Sequence, residues 1–408
     1  MKVEVFAHPL SFRSDPQAGA DLLAGHGVDR VRLAFAYHGG RWLLTTSDPC
    51  AVVDFRAGRW FRDEPSAPRD TPSALREDVH GLALPVLGDE ATTASTALLK
   101  SGVGVTAWLV GLHQSGLATR RPESALRNAF GHPYLHALCP ARSEVRAYAA
   151  DLVARTARRP GVTGLELEAF GYLGWQHQSA HDKLGAALRP ADRWLLSVCF
   201  CSACADLFAD SGIDVPDLAR TVRASLRSQL TDPQPAGDTA ADLRTALNPD
   251  LHDTVLAVRS RVTTALVQEA VAAAGGLPVS VRATVDPYAC DGKSGGDLAA
   301  LAAAADGLTV TDLSGNTDAL RRDIQEAIRT GVPVAAGWNL AADRTADERQ
   351  LAEVAACARA AGAGSLVLYA YDLAPAPRLG WLRRLTDAPG PRGTAAPDPI
   401  PPIPEPVT

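Results

Sequence analysis

Apolar and polar residues alternate with a period of two in several short runs, and segments with helical spacing separate these runs. Eight runs predict strands, at residues 3–8, 30–38, 104–113, 164–169, 278–286, 308–312, 332–340 and 365–372. Repeated strand-then-helix units predict a parallel sheet, and eight of them predict an α/β protein with a single (β/α)8 TIM barrel. An open, doubly wound sheet is the alternative, but no Gly-rich phosphate turn follows the first run.

Two insertions and a tail interrupt this regular pattern. Residues 40–62 predict a β-hairpin insert after the second strand, and residues 180–275 predict a mostly helical insert after the fourth. The chain is Pro-rich from residue 389 and offers little to bury, so we predict a disordered tail. The predicted barrel therefore spans residues 1–387, and the tail spans residues 388–408.

Composition narrows the functional classes. The chain has 408 residues, 46% of them hydrophobic, and a net charge of -6. This acidic balance argues against a nucleic-acid partner, which normally requires a basic face. No uncharged apolar run approaches the ~20 residues of a membrane span, and the first residues do not have the pattern of a signal peptide. We therefore expect a cytoplasmic protein that does not bind membranes.

The fourth strand carries two carboxylates. Glu166 and Glu168 are two residues apart, so they point to one face of the strand, while Leu165 and Leu167 point to the other. Functional residues of such barrels lie at the C-terminal ends of the strands. Glu168 is nearer that end and is the candidate acid. Glu166 lies deeper and is expected to pair with Arg282 from the fifth strand.

Most of the predicted strands end in a side chain that can donate a hydrogen bond, accept one or stack. The candidate substrate-binding residues are His8, His38, Trp108, His113, Glu166, Tyr172, Arg282, Trp338, Asn339, Tyr369 and Tyr371. Carboxylates among rings and imidazoles are typical of chemistry on sugars, where one acid protonates the leaving oxygen and a carboxylate attacks or activates water. Asp286 and Asp312 are the candidates for the second carboxylate, ahead of Asp372. The expected partner is a small-molecule or oligosaccharide substrate.

Three cysteines, Cys199, Cys201 and Cys204, have the close spacing of metal ligands. A structural zinc ion requires four ligands, and the candidates for the fourth are Cys139, Cys290, His177 and His181. Reduced thiols that pack against nearby phenylalanines are the favoured interpretation, so no cofactor is expected. Zinc at the three cysteines is the alternative.

Several motifs together resemble a known group of proteins. They are Gly-Gly-Arg-Trp-Leu-Leu at 39–44, Asn-Ala-Phe-Gly-His-Pro-Tyr at 128–134, Ala-Leu-Cys-Pro at 137–140, Gly-Leu-Glu-Leu-Glu at 164–168 and Cys-Phe-Cys-Ser-Ala-Cys at 199–204. Over most of residues 1–385, the chain resembles uncharacterised glycoside-hydrolase-like TIM-barrel proteins of actinobacteria. The cysteine segment is also similar to that of β-galactosidase-like barrels, some of which bind zinc through cysteines. The resemblance implies hydrolysis of O-glycosidic bonds.

One departure from that pattern matters. Many retaining β-glycosidase barrels carry the acid on strand four and a glutamate nucleophile on strand seven. Glu168 matches the first position, but the seventh strand has no acid between residues 334 and 339. The second carboxylate would then come from strand five or six, or the protein does not hydrolyse glycosides by this route.

Two other functions therefore stay open. The first is a barrel that has lost catalysis and binds a sugar or a glycosylated metabolite, which the missing acid on strand seven favours. The second is a metal-dependent isomerase or lyase that uses His8, His38, His113 and Glu168.

Overall fold

The computed structural model describes residues 1–45, 51–63, 81–175 and 185–387. Its strands are β1 (Lys2–Ala7), β2 (Arg30–Tyr37), β3 (Gly40–Leu44), β4 (Ala51–Phe55), β5 (Gly58–Arg59), β6 (Gly104–Val110), β7 (Ala125–Arg127), β8 (Pro133–Leu138), β9 (Gly164–Glu168), β10 (Val279–Ala283), β11 (Gly307–Asp312), β12 (Val334–Asn339) and β13 (Ser365–Tyr369). Eight of them pair in parallel in the order β1-β2-β6-β9-β10-β11-β12-β13, and β13 pairs with β1. The predicted (β/α)8 barrel is confirmed. The predicted tail, residues 388–408, lies outside the described residues.

Helices surround this barrel. They are α1 (Pro16–Gly25), α2 (Glu90–Lys100), α3 (Ser115–Arg120), α4 (Ser143–Ala157), α5 (Pro190–Ser197), α6 (Ser202–Asp210), α7 (Val215–Thr231), α8 (Thr239–Leu247), α9 (Pro249–Ala273), α10 (Leu298–Ala304), α11 (Thr317–Ile328), α12 (Glu348–Ala360) and α13 (Trp381–Asp387). Several begin where an Asp or Asn side chain accepts a backbone N–H of the first turn, as Asp15 and Asp347 do. None of the helices in the described part of the chain is long and apolar enough to cross a bilayer.

Both predicted inserts are present. The antiparallel hairpin β3–β4 follows β2, and helices α5 to α9 lie between β9 and β10. A second antiparallel hairpin, β7–β8, follows α3 and was not predicted. Its first strand has only three residues, which is too short for a period of two to be recognised.

The interior of the barrel contains a chain of alternating charges. Arg32 donates to Glu4 at 2.8 Å and also to Glu166, whose side chain is fully buried. Arg282 donates through Nε to the other oxygen of Glu166 at 3.2 Å, and its Nη1 lies 2.5 Å from Glu168. Glu4, Arg32, Glu166, Arg282 and Glu168 therefore form one alternating series, here called the charge ladder. It begins at the N-terminal end of the barrel and finishes at the C-terminal end of β9.

A set of contacts at Asp372, here called the latch, joins the first and last units of the barrel. Asp372, three residues beyond the end of β13, accepts from the backbone N–H of His8 at 3.1 Å and from the hydroxyl of Ser11. Its backbone carbonyl accepts from the N–H of Thr45, which follows β3. Burial raises the pKa of the Asp372 carboxyl to about 6, against the hydrogen bonds from Ser11 and His8 that lower it.

The charge ladder predicts a large effect of Glu166→Gln on stability. Glutamine keeps the shape but removes the negative charge between two buried guanidinium groups, Arg32 and Arg282. Loss of one partner of a buried ion pair costs about 3–5 kcal/mol, so we expect a large fall in the urea midpoint of unfolding. Glu326→Gln breaks an exposed ion pair with Arg329 and is the control, with an expected cost below about 1 kcal/mol. Equal midpoints for the two variants would contradict a structural role for the ladder.

The latch predicts a pH dependence. The folded protein holds the Asp372 proton up to about pH 6, whereas the unfolded chain releases it near 3.8. The native state therefore binds more protons in this window, so this carboxyl should make the free energy of unfolding fall as pH rises from 3.8 through 6.

Asp372→Asn should remove this contribution, about 3 kcal/mol, and should flatten the profile of urea midpoints across the window. The control is Asp343→Asn, at an exposed position beside Arg344, which should keep the wild-type slope. An unchanged slope in Asp372→Asn would show that the carboxyl titrates normally.

Candidate active site at the C-terminal end of the barrel

Glu168 is the last residue of β9 and the upper end of the charge ladder. Its Oε2 accepts from the indole N–H of Trp108 at 2.6 Å and lies 2.5 Å from Nη1 of Arg282. Both groups can only donate, so Oε2 is held as an acceptor. No residue in the described ranges donates to Oε1, and 11% of the side chain remains exposed. The carboxyl is thus fixed through one oxygen and available through the other.

The backbone turns sharply at this carboxylate. Ala169 has φ 58°, in the left-handed region that a residue with a Cβ seldom adopts. The Ala169 N–H donates to the carbonyl of Gly292 at 2.7 Å, and its carbonyl accepts from Leu112. Such a conformation costs on the order of 1 kcal/mol and persists where the surroundings hold it. Strained backbone of this kind clusters at functional sites.

Two tyrosines lie beside Glu168. The hydroxyls of Tyr37 and Tyr369 are 3.5 Å apart, and the ring of Tyr37 lies 4.8 Å from that of Trp108. Burial raises the pKa of both tyrosines, and the nearby charge of Glu168 raises it further. Both phenols are therefore protonated at neutral pH. Arg282 adds a hydrogen-bond donor to this site, because its Nη2 is buried and has no hydrogen-bond partner among the described groups.

Tyr37 was not predicted as a site residue. Strict alternation along β2 would place Ala36 inside the barrel with Arg32 and Ala34. The pairing of β2 with β6 shifts register between Ala34 and Ala36. As a result, Ala36 lies opposite Leu109, which faces outward. This bulge reverses the alternation and turns Tyr37 inward, as bulges beside active sites often do.

A row of imidazoles lies at the rim. The rings of His38 and His113 are 4.6 Å apart, and His136, on β8, lies 5.8 Å from His113. His136 bonds through Nε2 to the carbonyl of Gly174 at 3.0 Å. Sequence reasoning found His38 and His113 at strand ends but missed His136, because the hairpin that carries it was not predicted.

His8 is enclosed by rings. It is fully buried, and the rings of Trp42, Phe55 and Trp60 lie 4.5–4.9 Å away. Burial lowers the pKa of His8 to about 3, and the charge of His38 adds to the effect. His8 is therefore neutral at physiological pH. Trp42 and Phe55 belong to the hairpin β3–β4, so this insert covers the C-terminal end of β1.

In the described part of the chain, neither candidate for the second carboxylate forms a hydrogen bond or an ion pair with the charge ladder. Oδ1 of Asp312 accepts from the hydroxyl and N–H of Ser314 and from the N–H of Gly315, so it stabilises the turn after β11. Asp286 is exposed and accepts from the N–H of Tyr288 at 2.9 Å. Burial raises the pKa of Asp286, whereas Lys293 lowers it.

Other predicted residues have defined places. Trp338 is fully buried and donates to the hydroxyl of Thr345 at 2.9 Å. Asn339 accepts from the N–H of Ala341, and burial raises the pKa of Tyr371 well above its usual value. His177 and His181 lie outside the described residues.

A group of four buried cysteines lies beyond the rim. Cys139, Cys199, Cys201 and Cys204 bring their sulfur atoms within 4.8 Å of one another. Cys139 is therefore the residue that completes the set predicted from the sequence, and Cys290 is not part of it. Tyr172 connects this group to the site, because its hydroxyl lies 3.5 Å from the sulfur of Cys204.

Comparison with protein family models and with curated proteins gives no match for this sequence. Solved structures do match. The glycoside hydrolase domain of PgaB (BpsB) from Bordetella bronchiseptica aligns over 96% of this chain and 100% of its own, with a TM-score of 0.62 and 13% identity. α-L-Fucosidase isoenzyme 2 from Paenibacillus thiaminolyticus aligns over 95% of this chain and 49% of its own, with a TM-score of 0.55 and 14% identity.

The β-galactosidase of the psychrophilic Marinomonas ef1 is also similar, over 91% of this chain and 54% of its own, with a TM-score of 0.50 and 12% identity. This chain thus spans about half the length of the fucosidase and of the β-galactosidase. At such low identity the likeness concerns the fold. The chain has the barrel architecture found in glycoside hydrolases.

Proposed function

We propose that this protein is a carbohydrate-active barrel that hydrolyses O-glycosidic bonds, with Glu168 as the acid/base. The proposal rests on the position and contacts of this carboxyl group. It lies at the C-terminal end of a barrel strand, is bonded through one oxygen to Trp108 and Arg282, and retains an accessible second oxygen. Barrel enzymes place their reacting groups at this end. The barrel domains of glycoside hydrolases have the same fold.

The contacts of Glu168 indicate which of its two oxygens carries the reacting proton. Since Oε2 accepts from the indole N–H of Trp108 and is paired with Nη1 of Arg282, the proton of the acid form is assigned to Oε1. In the proposed reaction, Oε1 gives that proton to the glycosidic oxygen as the bond from this oxygen to the anomeric carbon breaks. Arg282 and Trp108 hold the resulting carboxylate in place, and they cost no reorganisation because the folded barrel fixes them.

Asp286 is the proposed second carboxylate. It follows the fifth barrel strand, and its raised pKa makes it a stronger base than a free aspartate. It would accept a proton from the water that attacks the anomeric carbon. Asp312 is the weaker candidate because one of its oxygens already accepts four hydrogen bonds from its own turn.

The side chains around Glu168 offer hydrogen bonds to the hydroxyls of a sugar and ring contacts to its faces. The unpaired Nη2 of Arg282 offers a donor to a hydroxyl, and the ring of Tyr369 is only partly buried. Asn339 and the imidazoles of His38 and His113 complete the proposed binding surface. Trp108 and Trp338 are fully buried, so their proposed contribution is to support this surface.

A sugar-binding barrel without catalysis is the second candidate. The observation that favours it is the absence of a carboxylate on β12, whose residues are Val-Ala-Ala-Gly-Trp-Asn. The isomerase or lyase alternative has less support. In the described part of the chain, the one group of ligands gathered closely enough for a metal is the four cysteines, and His8, His38, His113 and Glu168 do not form another.

We expect Glu168→Gln to lower turnover of nitrophenyl glycosides by about 100-fold or more, because the variant cannot donate a proton. The loss should be smallest for substrates with the most acidic phenol leaving groups, since these depart with little protonation. Glu326→Gln on the surface is the matched control and should turn over like the wild type. Melting curves of both variants test whether a loss of activity reflects unfolding.

Different results separate the two candidate functions. Equal activity of Glu168→Gln and the wild type would refute the role of Glu168. If no glycoside in a broad panel is cleaved but calorimetry detects binding of an oligosaccharide, the non-catalytic alternative is correct. Asp286→Asn and Asp312→Asn, measured in the same assay, identify the second carboxylate.

A further inference from the structure

Four cysteine sulfurs meet at one point although they come from two distant segments. Cys139 directly follows β8, whereas the other three lie between the end of α5 and the first turn of α6. The sulfur of Cys139 is 3.8 Å from that of Cys199, 3.6 Å from that of Cys201 and 3.5 Å from that of Cys204. All four side chains are buried, and none is in a disulfide.

These distances match a tetrahedral metal site. A zinc–sulfur bond of about 2.3 Å implies about 3.8 Å between sulfurs at the corners of a tetrahedron. A disulfide would require about 2.05 Å. We propose that Cys139, Cys199, Cys201 and Cys204 bind one zinc ion as a closed tetrathiolate centre. With four protein ligands the ion has no open position, so the centre is structural rather than catalytic.

The backbone around the cluster is arranged as for thiolate ligands. The N–H of Arg127 donates to the sulfur of Cys199 at 3.3 Å, and the N–H of Cys201 donates to the same sulfur at 3.4 Å. Donors of this kind stabilise negative sulfur and orient first-shell ligands. Neutral thiols would gain little from them.

A buried arginine supplies an independent argument. The guanidinium of Arg259 is buried and donates to the carbonyl and hydroxyl of Ser197. It lies 4.4 Å from the ring centre of Tyr172 and 5.1 Å from that of Trp194. No carboxylate of the described residues forms an ion pair with it, although a buried charge normally has a partner of opposite charge.

The tetrathiolate centre supplies that missing charge. Four thiolates and one divalent ion carry a net charge of about -2. Arg259 is therefore assigned as the counter-charge of the metal centre, through its position beside Tyr172.

The centre has a clear structural task. It joins the hairpin β7–β8 to the helical insert that begins with α5 and α6, two segments that are far apart along the chain. Through Cys204 it also contacts Tyr172, four residues after Glu168. Zinc would thus hold together the loops that follow β6 and β9. This metal centre does not depend on the hydrolytic chemistry proposed for Glu168.

The test is metal analysis of the full-length protein purified without chelators. We expect about one zinc ion per chain, released to the chromophoric chelator pyridylazoresorcinol when p-hydroxymercuribenzoate modifies the thiols. Cys139→Ser and Cys204→Ser should lose the metal. Cys357→Ser, on α12 and outside the cluster, is the control and should retain it.

A second measurement keeps the proposal testable if the serine variants do not fold. Wild-type protein stripped of zinc and reloaded with cobalt(II) should show the intense visible bands of a tetrahedral tetrathiolate site. Wild-type protein that is purified with far less than one metal ion per chain, and that develops no such bands with cobalt, would refute the centre and leave a cluster of reduced thiols.

Arg259 has a test of its own. Arg259→Met removes the proposed counter-charge and should speed loss of zinc to the chelator by about 10-fold, a typical effect of second-shell changes. Arg259→Lys keeps the charge and should restore much of the retention. If both variants lose zinc at the wild-type rate, Arg259 does not balance the charge of the centre.

Discussion

The charge ladder inside the barrel links the stability of the interior to the geometry of the candidate site. Glu4, Arg32, Glu166, Arg282 and Glu168 alternate in sign from the lower end of the barrel to the candidate site. Burial of five charges is costly, and only alternation with close hydrogen bonds offsets that cost. The same contacts that keep the interior stable therefore also orient Glu168. For this reason the site and the core cannot be altered independently.

Near Glu168, at the C-terminal end of the charge ladder, burial determines the protonation state of several side chains. Desolvation disfavours charge, so it lowers the pKa of His8, raises those of Tyr37 and Tyr369, and raises that of Asp372 to about 6. His8 and the two tyrosines are thereby neutral at physiological pH. A site with several polar groups but few free charges suits an uncharged substrate such as a sugar. Specificity then depends on the loops, since the same barrel serves many reactions.

The inserts extend this framework outward. The hairpin β3–β4 places rings over His8, and the latch at Asp372 connects it to the first and last units of the barrel. The helical insert contacts the other side through Tyr172 and the four cysteines. Both inserts bring side chains to the same end of the barrel. The barrel strands supply the direct neighbours of Glu168, and the inserts supply the layer around them.

Local patterns along the chain were enough to predict the eight strands, both inserts and the shared orientation of Glu166 and Glu168, because periodicity and turn residues are local signals. The remaining features depend on contacts between distant segments. The bulge that turns Tyr37 inward depends on pairing with β6, and His136 lies on a hairpin too short to recognise. Cys139 is 60 residues from the nearest of the other three cysteines, so only folding could select it over Cys290. Contacts across such distances follow from packing, which local pattern does not encode.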